Sequence, residues 1–426
     1  MEIEEKQIGR GGAEAVLNIQ PNSSISIAYH TLFGAHDDLM LLELDEKLVP
    51  DILNQRSLES FYVHSNLGVF PHIMLIIVLS VEPFCRVTVR GQQDEDAVLC
   101  TESKTYAVKF VGTSNSVFLM PPYEESHAQT ISHDINDNSC DGMVIGSVLK
   151  VATGVMELVE AAPKLDKLKL LLSQRPYSFE DESEMEDSEL SERNIMGLYG
   201  WDDLVELVQA SNEELRSGLE ALSAVEINSY WRILDGKYVD RMLDMFFLNV
   251  EQHKWALNAL NENEVITELE ADGYPQTIAK HCLQVYCSKL GEGSRMWKLD
   301  ERRVCVHYAR GILGGHKMKL ETFMEMWIQK VPNKMCPTFD MLEGEVLTER
   351  IGIETRVYAF SVSSLPLNPA ERFSKLFMER PKWEWKDLQP YIRDLKVPGL
   401  SSEGILLKYT RRTQPTADAD PIFSAR

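Results

Sequence analysis

The 426-residue sequence predicts an α+β protein, with a β-rich first part and a second part built from a repeated helix–helix–strand unit. Three observations carry that expectation. Residues 97–122 (AVLCTESKTYAVKFVGTSNSVFLMPP) alternate apolar and polar positions in short runs split by small polar residues, the pattern of a compact antiparallel sheet or barrel. Beyond residue 196 the apolar residues recur at helical spacing instead, and each pair of helices is followed by a short aromatic strand. Between the two parts lies residues 177–193, with eight Asp/Glu between Glu180 and Glu192. Such a block buries too little apolar surface to fold by itself and reads as a linker.

The chain opens acidic (Glu2, Glu4, Glu5), passes Gly11-Gly12, and is read as mobile until the alternation through Ile25-Ser26-Ile27, a first strand. Residues 39–44 predict a second strand and residues 46–53 a short helix or turn. Residues 97–122 read as three short strands. Ala97, Leu99, Tyr106, Val108 and Phe110 alternate, Thr113-Ser114-Asn115 turns the chain, and Val117, Phe118, Leu119 and Met120 form a last strand closed by Pro121-Pro122. That last run is an apolar sheet edge, which invites pairing with another chain, so these four residues are candidate partner contacts. Val144, Ile145, Val148 and Val151 suggest a further strand, and Leu165, Leu168, Leu171 and Leu172 a helix. The barrel-like, partner-binding domain is accordingly placed at 1–172 and the linker at 173–195.

Residues 57–86 stand apart. They contain the apolar run 69–81 (VFPHIMLIIVLSV), too short and too interrupted by Pro71 and His72 to cross a bilayer. Joining Arg56 directly to Val87 gives uninterrupted-looking sequence, and the Phe/Leu/Ile/Val/Ser-rich composition is what an intron read through in frame would encode. The segment is therefore read as an aberrant insertion, which transcript sequencing would decide.

In the second part, residues 201–209 form an apolar-periodic helix, Ser211 with Glu214 makes a capping box opening a helix to Leu222, and residues 224–234 (AVEINSYWRIL) read as a two-stranded wing. The phrase returns at 265–269, 275–286 and 296–299, then at 320–331, 338–349 and 355–360, and finally at 370–378, 385–395 and 404–409. Helix, helix, strand at this spacing is the signature of tandem winged-helix modules, and the aromatic strands separate it from an all-helical solenoid. Modules are expected at 196–262, 263–361 and 362–412, followed by a disordered tail at 413–426.

Composition excludes more than it assigns. The net charge of −23 is uneven: residues 1–195 carry 14 Lys+Arg against 32 Asp+Glu, and the remainder 29 against 34. Any nucleic-acid contact must therefore be local. Such a local excess exists at residues 372–412, with ten Lys/Arg against five acids. Seven scattered cysteines with no CxxC pair, Cys282 and Cys287 five apart among them, suggest reduced core thiols and no zinc site. The nearest approach to a nucleotide-binding loop is GILGGHK (311–317), whose glycines are misplaced and which is followed by Met318 where the hydroxyl is needed. It reads as a turn after a helix over 304–312. Residues 137–148 imitate a calcium loop but end on Val148, which leaves out the bidentate carboxylate. The pairs His36-Asp37 and His133-Asp134 lack further ligands, and no nucleophile motif occurs. No catalytic residue, metal or cofactor is assigned.

Several stretches together resemble one family. Residues 97–122, 41–53 (LLELDEKLVPDIL), 156–172 (MELVEAAPKLDKLKLLL), 303–313 (RVCVHYARGIL) and 371–383 (ERFSKLFMERPKW) are similar in wording and order to the sister-chromatid cohesion subunit of the cohesion-type alternative clamp loader, a replication-factor-C-like complex. The resemblance implies a nuclear, chromatin-associated protein that acts by binding. Its first half would complete a composite barrel with a small partner subunit and the C-terminal tail of the large clamp-loader ATPase. Its winged helices would reach DNA and polymerase epsilon. The candidate DNA contacts are Lys382, Lys386, Arg393, Lys396, Lys408, Arg411 and Arg412. Residues 211–222 carry acids instead, so Glu213, Glu214 and Glu220 are candidate contacts to a basic protein surface, with the polymerase the expected partner. Two other classes remain open on the residues alone: a winged-helix transcription regulator, and a scaffold of another nuclear complex such as a ubiquitin ligase.

Overall fold

The structure, a computed structural model, describes residues 25–29, 40–45, 48, 72–77, 87–119, 144–184, 196–332, 335–395, 400–414 and 420–426. It is α+β and divides into two units, 1–161 with Ser211–Glu213, and 162–210 with 214–426. The acidic start, the bulk of residues 46–53, the two His-Asp pairs, the N-terminal part of the calcium-like loop and the acidic residues 185–193 lie outside the described residues.

Unit 1 is built on a six-stranded sheet in the order β3-β2-β8-β6-β5-β4. Its strands are β2 (Met40–Asp45), β3 (His72–Ile77), β4 (Thr88–Arg90), β5 (Val98–Cys100), β6 (Thr105–Leu119) and β8 (Lys150–Glu160), while β1 (Ile25–Tyr29) pairs in parallel with β7 (Val144–Val148). The long antiparallel ribbon β6–β8 is its backbone, running from Tyr106↔Glu160 to Leu119↔Lys150. One face of it carries the core: Leu42, Leu99 and Tyr106 are buried, with Val108, Met156 and Leu158 packed beside them. Three short strands were expected over 97–122; the structure has two, because β6 continues through Thr113-Ser114-Asn115. The register slips between Gly112 and Val117, so the polar residues form a bulge, and β8 pairs with β6 on both sides of it. Gly154 lies opposite the bulge, where a Cβ would stand 2.4 Å from the Val111 carbonyl and 2.7 Å from the Phe110 ring. Within 57–86, His72–Ile77 pairs antiparallel along the whole of β2, and the rest of that segment lies outside the described residues.

Unit 2 begins earlier than expected. Helix α1 (Leu165–Ser173) buries Leu168, Leu171 and Leu172 against α3 (Trp201–Leu207) and α4 (Asn212–Ala221), so the first domain ends at Ala161 and not at 172. The antiparallel hairpin of β9 (Val225–Ile227) and β10 (Tyr230–Arg232) completes this first module, where two strands were expected at 224–234.

Part of the expected linker is also structured. Tyr177 is fully buried, Phe179 packs in the same core, and α2 (Phe179–Glu184) follows. The Arg232 guanidinium, only 5% exposed, donates to Asp181 Oδ1 and Oδ2 at 2.8 and 3.0 Å and to the Pro176 carbonyl at 3.0 Å. Composition missed this because two aromatic residues and one buried cation outweigh the acids around them. Burial pushes the Asp181 carboxyl up, but hydrogen bonds from Arg232 and the Ser178 N–H, with the charges of Arg232 and Arg175, hold it below its usual value of 3.8.

Three further modules share one topology: helix, strand, helix, third helix or 3-10 turn, then two strands. The second comprises α5 (Gly236–His253), β11 (Leu260–Asn261), α6 (Glu262–Ala271), α7 (Gln276–Tyr286), β12 (Cys287–Lys289) and β13 (Met296–Leu299). The third comprises α8 (Glu301–Leu313), β14 (Met318–Lys319), α9 (Leu320–Lys330), the 3-10 turn Phe339–Leu342, β15 (Val346–Ile351) and β16 (Glu354–Ala359). The fourth comprises α10 (Pro369–Glu379), β17 (Lys382–Glu384), α11 (Trp385–Leu388), α12 (Ser402–Tyr409), β18 (Thr410–Thr413) and β19 (Ile422–Ala425). In each sheet the last strand lies in the middle: β11-β13-β12, β14-β16-β15 and β17-β19-β18. Gly314, with φ +44°, closes α8 in the GILGGHK stretch, the turn expected there.

These elements shift the expected boundaries. Helix α5, assigned to the end of the first module, opens the second, so 263–361 holds most of one module and all of another. Residues 338–349, expected as a helix, form the 3-10 turn and the start of β15; residues 404–409, expected as a strand, are helical in α12, which Ser401 caps by accepting from the Gly404 N–H. The tail is the largest correction. Residues 413–426, expected to be disordered, contain β19, whose Phe423 is buried opposite Trp383 and against Trp385.

Two tests follow from these contacts. Because the folded-state value of Asp181 is lowered, its contribution is full above about pH 4 and is lost as pH falls further. Asp181→Asn is therefore expected to cost about 1–3 kcal/mol at pH 7, with the gap to the parent closing below pH 4, as read from denaturant midpoints. Truncation after Thr413 removes the shared partner of β17 and β18, so amide protection of Trp383 should be lost while protection of the Trp327 region persists; a disordered tail would leave both unchanged.

Candidate partner and nucleic-acid interfaces

The apolar run predicted to meet a partner lies on β6. Val117 and Leu119 are half-buried, Phe118 is 46% exposed, and Met120 lies outside the described residues. The register places Val117, opposite Ala152, on the same face as Phe110, opposite Met156, while Phe118 looks to the other face. Along the core face, exposure rises from 5% at Tyr106 through half-buried Val108 to 56% at Phe110. The core simply ends partway along the ribbon. Phe110 was read from sequence as one of an alternating set; that it stands uncovered follows from β5, which pairs with β6 only at Thr105–Ala107. Among the described residues, β6 from Val108 to Leu119 has a strand on one side alone. Beside Phe110 a cleft of about 160 Å³ is lined by Leu41, Val151, Gly154 and Met156. It is smaller than the roughly 300–1,000 Å³ that cofactor and ligand sites occupy.

On α4, Glu213 and Glu220 are exposed and Glu214 is half-buried. The helix's single cation, Arg216, lies over the Trp201 ring at 4.4 Å. The surface presented by α4 is thus acidic, while Trp201 and Trp231 pack at the edge of the core.

The basic stretch is thinner than its composition. Lys386 Nζ lies 3.0 Å from Glu384, which raises the lysine's pKa, and Arg393 lies 4.0 Å from Glu343. Lys396 falls outside the described residues. Lys382 and Arg411 both pair with Ser424, so they flank it on one face of the last sheet. Arg412, in register with Phe423, points to the other face and donates to Gln414. Lys408 ends α12 with its ammonium 5.3 Å from the Tyr409 ring centroid, and Arg426 donates to the Leu407 carbonyl at 2.6 Å beside it. Arg426 was missed because the tail was read as disordered; the alternation in Ile422-Phe423-Ser424 was its signal.

Among the described residues no group of three or more His, Cys, Asp or Glu side chains is arranged to hold a metal, and no helix is long and apolar enough to cross a membrane. Burial pushes the thiols of Cys282 and Cys287 well up, the latter to about 12, as expected of core cysteines and not of nucleophiles.

Comparison with known proteins adds identity to this geometry. The family described as Sister chromatid cohesion protein Dcc1 matches residues 39–392. The Homo sapiens protein named Sister chromatid cohesion protein DCC1 is 32% identical over 326 residues, covering 76% of this chain and 80% of that one. Its namesake in Danio rerio is 32% identical over 327 residues, with 76% and 80% covered, and that in Mus musculus 31% identical over 325 residues, with 76% and 78% covered. The match runs from β2 in unit 1 to the fourth module of unit 2, and the chain belongs to the Dcc1 sister chromatid cohesion family.

Proposed function

We propose that this chain is a non-catalytic subunit of a replication-factor-C-like clamp loader that supports DNA replication and sister chromatid cohesion in the nucleus, on chromatin. The observation that carries the reading is the unfinished sheet of unit 1. Among the described residues, no strand pairs with β6 on the β5 side beyond Ala107, beside Phe110, Val111 and Phe118, all more than a third exposed. Exposed edges with apolar flanks pair with other chains. The small barrel subunit of the loader and the C-terminal tail of its large ATPase are the proposed occupants.

The modules of unit 2 are proposed to be winged helices. In support, three of them share the order of helices and strands and the same middle strand, and the first has three helices and a hairpin. The acidic α4 surface suits a basic protein surface, for which polymerase epsilon is the proposed partner. The last sheet, with Lys382, Arg411, Lys408 and Arg412 on or beside it, suits phosphate contacts to DNA.

Phe110→Asp with Phe118→Asp is expected to abolish co-purification of the full chain with the small subunit and ATPase tail, while leaving the helical signal of unit 2 unchanged; undiminished assembly would refute the edge as the joint. Glu213→Lys with Glu214→Lys should slow association with polymerase epsilon severalfold and leave loader assembly intact, because exposed charges act mainly on encounter rate. Surface plasmon resonance separates the two: a variant that binds the polymerase at the parent's rate yet loses the loader would reverse the assignment.

A further inference from the structure

Strand β2 draws its pairing unequally from its two sides. Toward β8 it is in parallel register at two positions only, Leu42↔Met156 and Glu43↔Glu157. On the other side β3 runs antiparallel to it at all six, from Met40↔Ile77 to Asp45↔His72. Among the described residues no other strand lies on that side, so without β3 the sheet would end on β2. The backbone N–H and C=O groups there would then face solvent, the condition that makes an edge strand a template for another strand. Burial follows the pairing. Leu41 and Leu42 are 5% and 6% exposed on the strand that β3 covers. Phe110, Val111 and Phe118, on the stretch of β6 with no strand on its β5 side among the described residues, are 38% to 56% exposed.

The filling strand is unlike the rest of the chain. Charged residues make up 26% of the sequence, yet no Asp, Glu, Lys or Arg occurs between Ser60 and Val81. β3 itself, HIMLII, holds three isoleucines and neither glycine nor proline. Uncharged segments of this composition add readily to a free strand edge. β3 is also short, and Pro71 stands directly before it, two features that limit further addition on its own outer side. Residues 46–71 separate it from β2 in sequence, so no two-residue turn sets the register. The register rests on the match between the two strands themselves. A strand held by such a match, and not by a tight turn, can be replaced by an equivalent segment supplied from outside.

We propose that the outer edge of β2 is a strand-acceptor site for an extended, uncharged, apolar segment, and that this chain fills it with its own residues 72–77. Segment 57–86 then acts as an internal ligand. A chain that carries it closes the β2 side of the sheet from within. A chain translated from a message that lacks it would present Met40–Asp45 as a further open edge, with Leu41 and Leu42 beside it. Retention or loss of one segment thereby sets which edges unit 1 offers to other chains. The acceptor site does not depend on the partners proposed for β6.

Amide exchange along β2, with fluorescence anisotropy of a labelled peptide, tests it. The peptide carries residues 70–79 (FPHIMLIIVL) with lysines added at both ends for solubility. In the full chain the amides of Leu41–Leu44 should exchange slowly and the peptide should not bind, because tethered β3 competes at an effective concentration of about a millimolar. In a variant lacking residues 57–86 the same amides should exchange about tenfold faster or more, and the peptide should bind and restore their protection. Met74→Pro with Leu75→Pro in the full chain should give the same two results, since adjacent prolines remove an N–H from each side of the strand, whichever side faces β2. A peptide carrying both prolines should bind neither variant. Exchange in β13, β16 and β19 reports that unit 2 stays folded, and the proline variant carries the test if the deletion fails to fold. Slow exchange of β2 in the variants without peptide would show that β3 does not hold the edge. Fast exchange in the parent, or a peptide that binds parent and variants alike or binds neither variant, would overturn the acceptor site.

Discussion

Every strand must find partners for its backbone N–H and C=O groups, and this chain meets that requirement in two different ways. In unit 2 each three-stranded sheet is completed by its own last strand, which enters between the first two: β13, β16 and β19 each bond both neighbours. A module of this kind is finished as soon as its chain is. Among the described residues of unit 1, the long ribbon β6–β8 has no such closure, because β5 supplies only three residues of pairing to β6. The hydrophobic core follows the hydrogen bonds. In unit 2 it forms separate clusters, one around Trp327 and another around Trp383 and Phe423, and among the described residues of unit 1 it fades between Tyr106 and Phe110.

That difference explains how the surfaces are shared out. A unit that closes its own sheets is free to vary what its helices expose, and the third helices show this variation: acidic in α4, neutral and basic in α7, reduced to one turn in the third module, and short in α12. The core of unit 2 contains buried polar groups with hydrogen-bond partners. Arg372, 1% exposed, donates to Asp394, to the Tyr391 carbonyl and to the Pro366 carbonyl, and Trp327 Nε1 donates to the Cys305 carbonyl at 2.8 Å. Such groups are costly when unpaired, so they fix the helices that carry them.

Much of this was legible in the sequence, for identifiable reasons. Helices α7, α8, α9 and α10 were found because an apolar stripe at 3.6-residue spacing survives whatever packs against it. The hairpin β9–β10 and strand β13 were found because aromatic residues alternate there. What was missed depended on long-range pairing. The polar run Thr113-Ser114-Asn115 looked like a turn, and only the presence of β8 opposite it makes it part of a bulge. Residues 422–425 are too few to announce a strand, and become one because β17 and β18 leave a gap of one strand's width. The strap at Tyr177–Glu184 was hidden by its acids, since the deciding partner, Arg232, lies 51 residues away from Asp181. Of the candidate site residues, Val117–Leu119 lie on β6, the strand that their apolar run suggests, whereas the pairing of Lys386 with Glu384 and of Arg393 with Glu343 cannot be read from composition.

The central claim is that β6 is completed by another polypeptide. Hydrogen–deuterium exchange on the full chain, alone and with the small barrel subunit and the clamp-loader ATPase tail, measures it directly. The account predicts that amides between Val108 and Leu119 exchange quickly in the free chain and become protected by at least a hundredfold in the complex, while those of β13, β16 and β19 stay protected throughout. Slow exchange along β6 in the chain alone, unchanged by either partner, would contradict it.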